Sequence, residues 1–389
     1  MSNKPEKVFV AMSGGVDSSV AAALLKKEGY DVTGVFMKAW QPRGLIRGQS
    51  FECSQTDDRR EAMRAAAHLG IPFLTFDFEK EYKKEVIDYM IAEYKAGRTP
   101  NPDVMCNSRI KFGVFLDRAR KIGSDYIATG HYARLRRASI KYKVSSIKLL
   151  KGVDEDKDQS YFLWTLTQEQ LSYVIFPIGE YTKPKVRELA RKFGLPNAEK
   201  KDSQGLCFVG ELNMKEFLKQ YIKEKRGNVL NDKGEVIGYH DGASFYTLGE
   251  RHGFTITKKG PNDPPQYVVA KDVGRNTITV APNRRYTQNE RRMTQTIDDE
   301  VREVVIKDVN WVSGEPPDEN KTYTARFRYR QPLQSCWIEA QKNADSTQNN
   351  AEGDLFRILF DESQRAVTPG QSLVLYLNTG ECLGGGIIT

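Results

Sequence analysis

Hydrophobic and polar positions in the first half of the chain alternate between two periods, one suited to strands and one to helices. Residues 7–11 form a short β-type run, and 18–28 an alanine- and leucine-rich helix that stops at Gly29. Residues 32–37 read as a second strand, 58–69 as a helix ended by Gly70-Ile71-Pro72, and 72–76 as a third strand. Residues 81–96 predict a long amphipathic helix, with Val86, Met90 and Tyr94 recurring every four positions beside Ile87 and Ile91. A helix over 110–122 and a strand over 126–129 complete the series. Such alternation predicts a mostly parallel sheet covered on both faces, with any ligand at the carboxyl ends of its strands.

After about residue 215 the pattern changes. A last substantial helix is expected over 214–225, followed by short alternating runs at 267–270, 277–281, 323–330 and 373–377. Turn residues such as Gly234, Gly238, Gly242, Gly274, Pro282 and Gly370 separate them. The polar stretch 343–353 reads as a long hairpin loop. The fold class expected is therefore an α/β domain with a parallel sheet over 1–215, a small β-rich central domain over 216–283, and a C-terminal β-barrel over 284–389.

Composition removes several classes. The 389 residues suit two or three domains at roughly 150 residues each. No apolar run approaches the ~18 residues of a membrane span, and residues 1–12 carry no signal-peptide core. The five cysteines, Cys53, Cys106, Cys207, Cys336 and Cys382, are few and far apart, which excludes a disulfide scaffold and predicts a reducing, cytoplasmic setting. No Cys-x-x-Cys pair occurs and the four histidines are scattered, so no structural metal site is expected. Net charge is +8, and its distribution matters more than its size. From Arg134 to Lys151 there are seven basic residues and no acid, and from Lys183 to Lys201 seven more against Glu188 and Glu199. These two segments read either as a phosphate footprint or as solvated basic surface.

The strongest short motif is Ser13-Gly14-Gly15-Val16-Asp17-Ser18-Ser19, between the first strand and the first helix. Two glycines let successive amides converge, the helix N-terminus adds partial positive charge, and three serines add hydroxyls. No Gly-Lys-Ser/Thr follows, so this phosphate cradle is not of the Walker type. The motif resembles the signature of the ATP pyrophosphatase (PP-loop) family, with its adenine nucleotide alpha hydrolase-like fold. That resemblance implies cleavage of ATP between the α- and β-phosphates, with Asp17 as a partner for magnesium.

Two further stretches each carry a cysteine among cations. Thr99-Pro100-Asn101-Pro102-Asp103-Val104-Met105-Cys106 leads into the helix expected around Ile110, and the thiolate of Cys106 would be favoured by the helix dipole, Arg109 and Lys111. Lys200-Lys201-Asp202-Ser203-Gln204-Gly205-Leu206-Cys207 places the second cysteine in a glycine-containing loop. Either alone could be a small buried hydrophobe. Cys53, Cys336 and Cys382 read as structural.

Together with Gly34-Val35-Phe36-Met37, Ala128-Thr129-Gly130-His131, Lys157-Asp158-Gln159, Arg328-Tyr329-Arg330 and Cys382-Leu383-Gly384, these stretches resemble the tRNA-specific 2-thiouridylases from end to end. The resemblance implies ATP-dependent 2-thiolation of the wobble uridine of tRNA of the Lys, Glu and Gln type. Adenylation of the C2 oxygen would release pyrophosphate, and sulfur would come from a cysteine persulfide. It assigns Cys207 as the persulfide carrier, Cys106 as nucleophile and Asp103 as acid/base. Ala11, Met12, Ser13, Gly14, Gly15, Val16, Asp17, Ser18, Met37 and Gly130 would hold ATP. Asn101, Pro102, Asp103, His131, Lys157, Asp158, Gln159, Arg328, Tyr329, Arg330 and Gln371 would touch tRNA. The implied partners are tRNA and a persulfide donor protein, a cysteine desulfurase or a relay carrier, with no membrane. From the residues themselves, a PP-loop ligase or amidotransferase on a small molecule and a non-catalytic RNA-binding protein remain open. Period two in 326–330 predicts three arginines on one face of a strand.

Overall fold

The computed structural model describes residues 4–42, 45–46, 49–140, 143–202, 205, 207–208, 213–257, 260, 264–282, 301–341 and 355–389. The expected hairpin loop at 343–353 and the side chain of Cys53 lie outside the described residues.

The first half is built on a five-stranded sheet in the order Phe73–Asp77, Asp31–Lys38, Lys7–Ala11, Tyr126–Ala128, Val174–Ile175. All its pairings are parallel. Alternation along Lys7–Ala11 explains why: Val8 and Val10 enter one core with Val32 and Phe36, while Phe9 and Ala11 enter the opposite core with Val35 and Met37. A strand buried on both faces needs helices over each. On one side lies Val16–Lys27, whose Val20, Ala21, Ala22 and Leu25 are buried, with the chain reversing at Gly29 (φ +93°). The helix Phe51–Leu69 begins seven residues earlier than residue 58, where the sequence pattern suggests.

Two long helical runs cover the other face, and both are interrupted. Residues 79–95 pass through a π-helical stretch, Lys83–Asp88. The second run starts at Pro102 rather than at residue 110, because Asn101 caps it through Val104 N (3.3 Å) and a proline suits the first turn. It then becomes π-helical over Cys106–Val114 before ending as Phe115–Lys121.

The helix expected over 214–225 is only Met214–Leu218. Residues 223–226, Lys-Glu-Lys-Arg, are all exposed, so no apolar face remains to extend it. A five-stranded sheet follows, ordered Thr255–Ile256, Val236–His240, Gly227–Leu230, Thr277–Pro282, Gln266–Asp272.

The last part is a closed six-stranded antiparallel barrel: Val301–Trp311, Leu355–Gln364, Gln334–Gln341, Tyr323–Arg326, Ser372–Tyr376 and Glu381–Ile388. Pairing of Ile306 with Ile388 closes it, and closure removes free edges. The basic segment 134–151 is neither a loop nor a helix face. It is the hairpin Ala133–Ile140 and Lys143–Lys151, and it joins the barrel sheet where Leu150 meets Glu381. Lys148 Nζ lies 2.8 Å from the Glu381 carboxylate. The two halves are thus hydrogen-bonded into one sheet.

One expected strand is shorter than its pattern. Tyr323–Arg326 ends before Phe327, and Arg330 has φ +62°, so the three arginines do not share a face. Arg326 turns inward to pair with Asp158, while Arg328 and Arg330 are exposed. Among the described residues no helix is long and apolar enough to cross a membrane.

Candidate active site

The heptapeptide Ser13–Ser19 joins the central strand to the first helix at the carboxyl edge of the sheet. Gly14 takes φ +78°, and a Cβ there would meet the Asp58 carbonyl oxygen at 2.3 Å, so the turn accepts glycine only. Ser18 Oγ accepts from Ser13 N (3.2 Å) and donates to the Gly15 carbonyl (3.1 Å), which ties the loop into a ring. Gly130, after the strand Tyr126–Ala128, abuts the helix start; a Cβ on it would sit 2.7 Å from Ser18 N. Ala11, Met12 and Met37 lie at the ends of the two neighbouring strands. The fold therefore gathers residues 11–18, Met37 and Gly130 on one sheet edge.

Sequence reasoning missed the charges around this loop. Asp17 accepts from Lys183 Nζ at 2.8 and 2.9 Å and from the Tyr132 hydroxyl at 2.9 Å. Lys183 also meets Asp202 at 2.7 Å, and Asp202 takes Lys157 (2.7 Å) and Arg187 (2.9 Å). Burial raises the Asp202 carboxyl, but hydrogen bonds from Lys157 and Lys183 outweigh it and hold it at about 2. Lys200 donates to the Gly14 carbonyl (3.3 Å) and pairs with Asp58 (2.7 Å), while Asn197 Nδ2 holds Gly14 O and Ser19 Oγ. The signal was present in the basic segment 183–201, whose Lys183, Arg187 and Lys200 prove to be aimed at carboxylates and backbone. Asp202 extends this network toward the Cys207 loop.

Cys106 and Cys207, 101 positions apart, are brought side by side, their thiols in hydrogen-bond contact and both free. Here the thiolate expected at Cys106 is corrected. The helix starts at Pro102, which puts Cys106 past the first turn and fully buried, and Arg109 points to solvent. Burial pushes the Cys106 thiol up, and the neighbouring Cys207 adds to the effect. The depressed thiol is Cys207: the hydrogen bond from Cys106, then Lys111, lower it from 9.0 to about 7 against the opposing effect of burial. Asp103 Oδ1 accepts the Cys207 amide at 3.0 Å, and the Tyr82 hydroxyl donates to the Cys207 carbonyl at 2.6 Å. Burial raises the Asp103 carboxyl above the usual carboxylate value, which suits a group that exchanges protons. Cys336 and Cys382 are buried in apolar cores, and burial pushes both to about 12.

The residues expected to face tRNA separate into two sets. His131 is buried between Phe112 and Phe176, with Nδ1 2.6 Å from Thr129 Oγ1, and burial pushes it well below the ordinary histidine value. Asp158 is 1% exposed; its carboxylate pairs with Arg326, itself 4% exposed, and accepts from Ser160 Oγ (3.0 Å) and Gly152 N (3.1 Å). The Asp158 carboxylate fastens the barrel to the first half, because a buried carboxylate needs a buried cation. Gln159 Oε1 accepts from Tyr132 N (3.0 Å), and Lys157 is bound to Asp202. Gln371 Nε2 donates to the carbonyls of Thr99 (2.8 Å) and Pro100 (3.1 Å), so the barrel holds the loop that presents Asn101, Pro102 and Asp103. Arg328 donates to the Ala366 carbonyl (2.8 Å), Arg330 to Asp156 (3.0 Å), and Tyr329 packs on Phe162 at 4.8 Å. These last three lie on the rim.

Comparison with known families agrees with this architecture. Residues 6–211 match a family described as tRNA methyl transferase HUP domain, 215–282 its PRC-barrel domain, and 301–388 the aminomethyltransferase beta-barrel domain. A tRNA-specific 2-thiouridylase MnmA of Streptococcus mutans is 44% identical over 387 residues, covering 99% of this chain and 96% of the relative. The protein of that name from Alkaliphilus oremlandii is 45% identical over 385 residues (99% and 97% covered), and one from Geobacillus kaustophilus 46% over 382 residues (98% and 94%).

Proposed function

The chain belongs to the tRNA-specific 2-thiouridylase family and is a tRNA sulfurtransferase; from that premise we propose how its residues divide the work. ATP binds at residues 11–18, Met37 and Gly130. The uridine C2 oxygen attacks the α-phosphorus and the bond to the β-phosphate breaks, so pyrophosphate leaves. Helix-terminal amides and the Lys183 and Lys200 ammonium groups favour that anionic product. A magnesium ion would be held by Asp17 beside the phosphates, since such ions take one or two protein carboxylates there, with Lys183 keeping its pairing to Asp202; it would neutralise charge on the leaving pyrophosphate.

Adenylation makes an inert oxygen a leaving group, and sulfur then replaces it. Cys207 takes the outer sulfur of a donor protein's persulfide. Cys106 gives its proton to the Asp103 carboxylate as its sulfur attacks Cys207 Sγ; the Sγ–Sγ bond forms, the persulfide bond breaks, and hydrosulfide leaves with the electron pair. Hydrosulfide adds to C2 and AMP departs. A dithiol reductant returns the Cys106–Cys207 disulfide to two thiols. Asp103 exchanges protons beside the uracil, which must leave its stack to reach the site, as a nucleotide of an anticodon loop readily does. Wobble uridines of the Lys, Glu and Gln tRNAs are the substrates, in the cytoplasm. Asn101, Pro102, His131, the 157–159 stretch, Arg328–Arg330 and Gln371 form the approach for the RNA.

The observation that carries this reading is the contact of two free thiols 101 positions apart, one on a helix and one depressed to about 7, with the Asp103 carboxylate bound to the Cys207 amide. A small-molecule ligase has no use for that pair. The test is purified protein with ATP, a persulfide donor and tRNA bearing a wobble uridine. Thiolated tRNA with one pyrophosphate per thiouridine is expected; pyrophosphate release without thiolation contradicts the reading.

A further inference from the structure

Cys106 and Lys111 are five residues apart in one helical run. In an α-helix, 3.6 residues per turn would set them roughly 140° apart, on different faces. The helix is π-helical over Cys106–Val114, and a π ladder joins residues i and i+5, so the two side chains stack on one face. The consequence appears in which cation arrives. Arg109, three positions after Cys106 and its α-helical neighbour, is exposed. Lys111 instead hydrogen-bonds Cys207 and lies 5.6 Å from the centre of the Phe208 ring.

The neighbouring helical run repeats the device. Its π stretch, Lys83–Asp88, follows directly on Tyr82, whose hydroxyl holds the Cys207 carbonyl at 2.6 Å. Both interruptions therefore meet at the Cys207 loop. The titratable groups around Cys207 are Asp103, Cys106 and Lys111 from one run and Tyr82 from the other, with His131 facing Lys111. Burial raises Tyr82 and lowers His131, which leaves both neutral near pH 7. Asp103 can only oppose a second negative charge. Among the described residues Lys111 is the cation that faces this sulfur.

We propose that Lys111 is a catalytic residue of sulfur uptake: its ammonium group is the counter-ion of the Cys207 sulfur, delivered there by the π-helical register of residues 106–114. This rests on the reading of Cys207 as the sulfur acceptor. In the step it serves, the Cys207 thiolate attacks the outer sulfur of a protein persulfide. The new S–S bond forms on Cys207, the donor's S–S bond breaks, and the donor's inner sulfur leaves as a thiolate with the electron pair. The outer sulfur keeps its proton, and no oxidant is consumed. The step requires an existing thiolate at neutral pH; the hydrogen bond from Cys106 favours it, and Lys111 supplies the opposite charge that a thiolate buried beside a carboxylate needs. In support, the charges of Cys207 and Cys106 carry the Lys111 ammonium above the ordinary lysine value despite the opposing effect of burial.

The test uses full-length wild-type, Lys111→Met and Lys111→Arg proteins. Iodoacetamide alkylation of Cys207 is followed against pH by mass spectrometry of its peptide; buried Cys106 is read separately. Lys111→Met should raise the midpoint by about one pH unit, slowing alkylation at pH 7 about fivefold. Lys111→Arg should keep the midpoint close to wild type, and thermal melting of all three confirms folding. Should the methionine variant melt early, Lys111→Gln gives the same comparison. An unmoved midpoint in a folded Met or Gln variant overturns the proposal. Failure of wild-type Cys207 to carry a persulfide would instead overturn the function proposed above, while leaving the midpoint comparison intact.

Discussion

The carboxylate of Asp103 accepts the backbone N–H of Cys207 at 3.0 Å, a bond between residues 104 positions apart. It places the raised carboxyl and the depressed thiol on one short path. Asp103→Asn keeps an acceptor oxygen for that amide but loses proton exchange. We expect tRNA thiolation to fall by about 10²–10⁴-fold in this variant while Cys207 alkylation stays at or above the wild-type rate, because the opposing negative charge is gone. Asp103→Ala should lose both, and single-turnover thiolation beside alkylation separates the two roles.

Asp158 and Arg326 tie the barrel to the first half inside the protein. Removing one member leaves the other buried and unpaired. Asp158→Ala or Arg326→Met should therefore cost about 3–5 kcal/mol in urea unfolding, whereas the double replacement should recover part of the loss. Equal stability of both single variants with wild type would show the pair to be dispensable.

Gly130→Ala places a Cβ 2.7 Å from Ser18 N, against backbone that cannot swing away. The helix start and the loop must shift together, so we expect ATP affinity to fall more than about tenfold, a loss of roughly 1.4 kcal/mol. Isothermal titration with ATP checks this, with circular dichroism to confirm the fold.

The depressed Cys207 thiol gives sulfur loading a pH dependence of definite sign. A thiol lowered from 9.0 to about 7 becomes thiolate as pH rises through 7. Loading from a persulfide donor should climb across that point and level off about one unit above it. An ordinary thiol would still be climbing at pH 8.5 or so. Cys106, raised by burial, should stay protonated and unlabelled over the same window.

Much of this architecture was legible in the chain. The parallel sheet follows from apolar runs between helices, and the phosphate loop from two glycines between a strand and a helix. The helix over 102–121 was half legible: the prolines at 100 and 102 suggested a rigid loop, yet Pro102 is the first helical residue because Asn101 caps it. The π register was not legible, since no local pattern distinguishes a four-residue from a five-residue hydrogen bond; packing against Lys83–Asp88 accompanies it. Arg326 looked like one of three surface arginines because period two says which face, not whether the strand continues. The basic segment 134–151 showed its charge but not its hairpin, whose partner Glu381 is over 200 positions away. Long-range partners of this kind decided Lys183 and Asp202 as well.

The most direct test of the central claim is a chase of labelled sulfur. Cys207 is loaded with ³⁵S from a persulfide donor, excess donor is removed, and ATP and wobble-uridine tRNA are added. The account predicts that label leaves the Cys207 peptide and appears in 2-thiouridine at the same rate, with one pyrophosphate released per sulfur and no transfer without ATP. Label that stays on Cys207 while thiouridine forms, or a Cys207→Ser protein that thiolates from the donor at the wild-type rate, would contradict it.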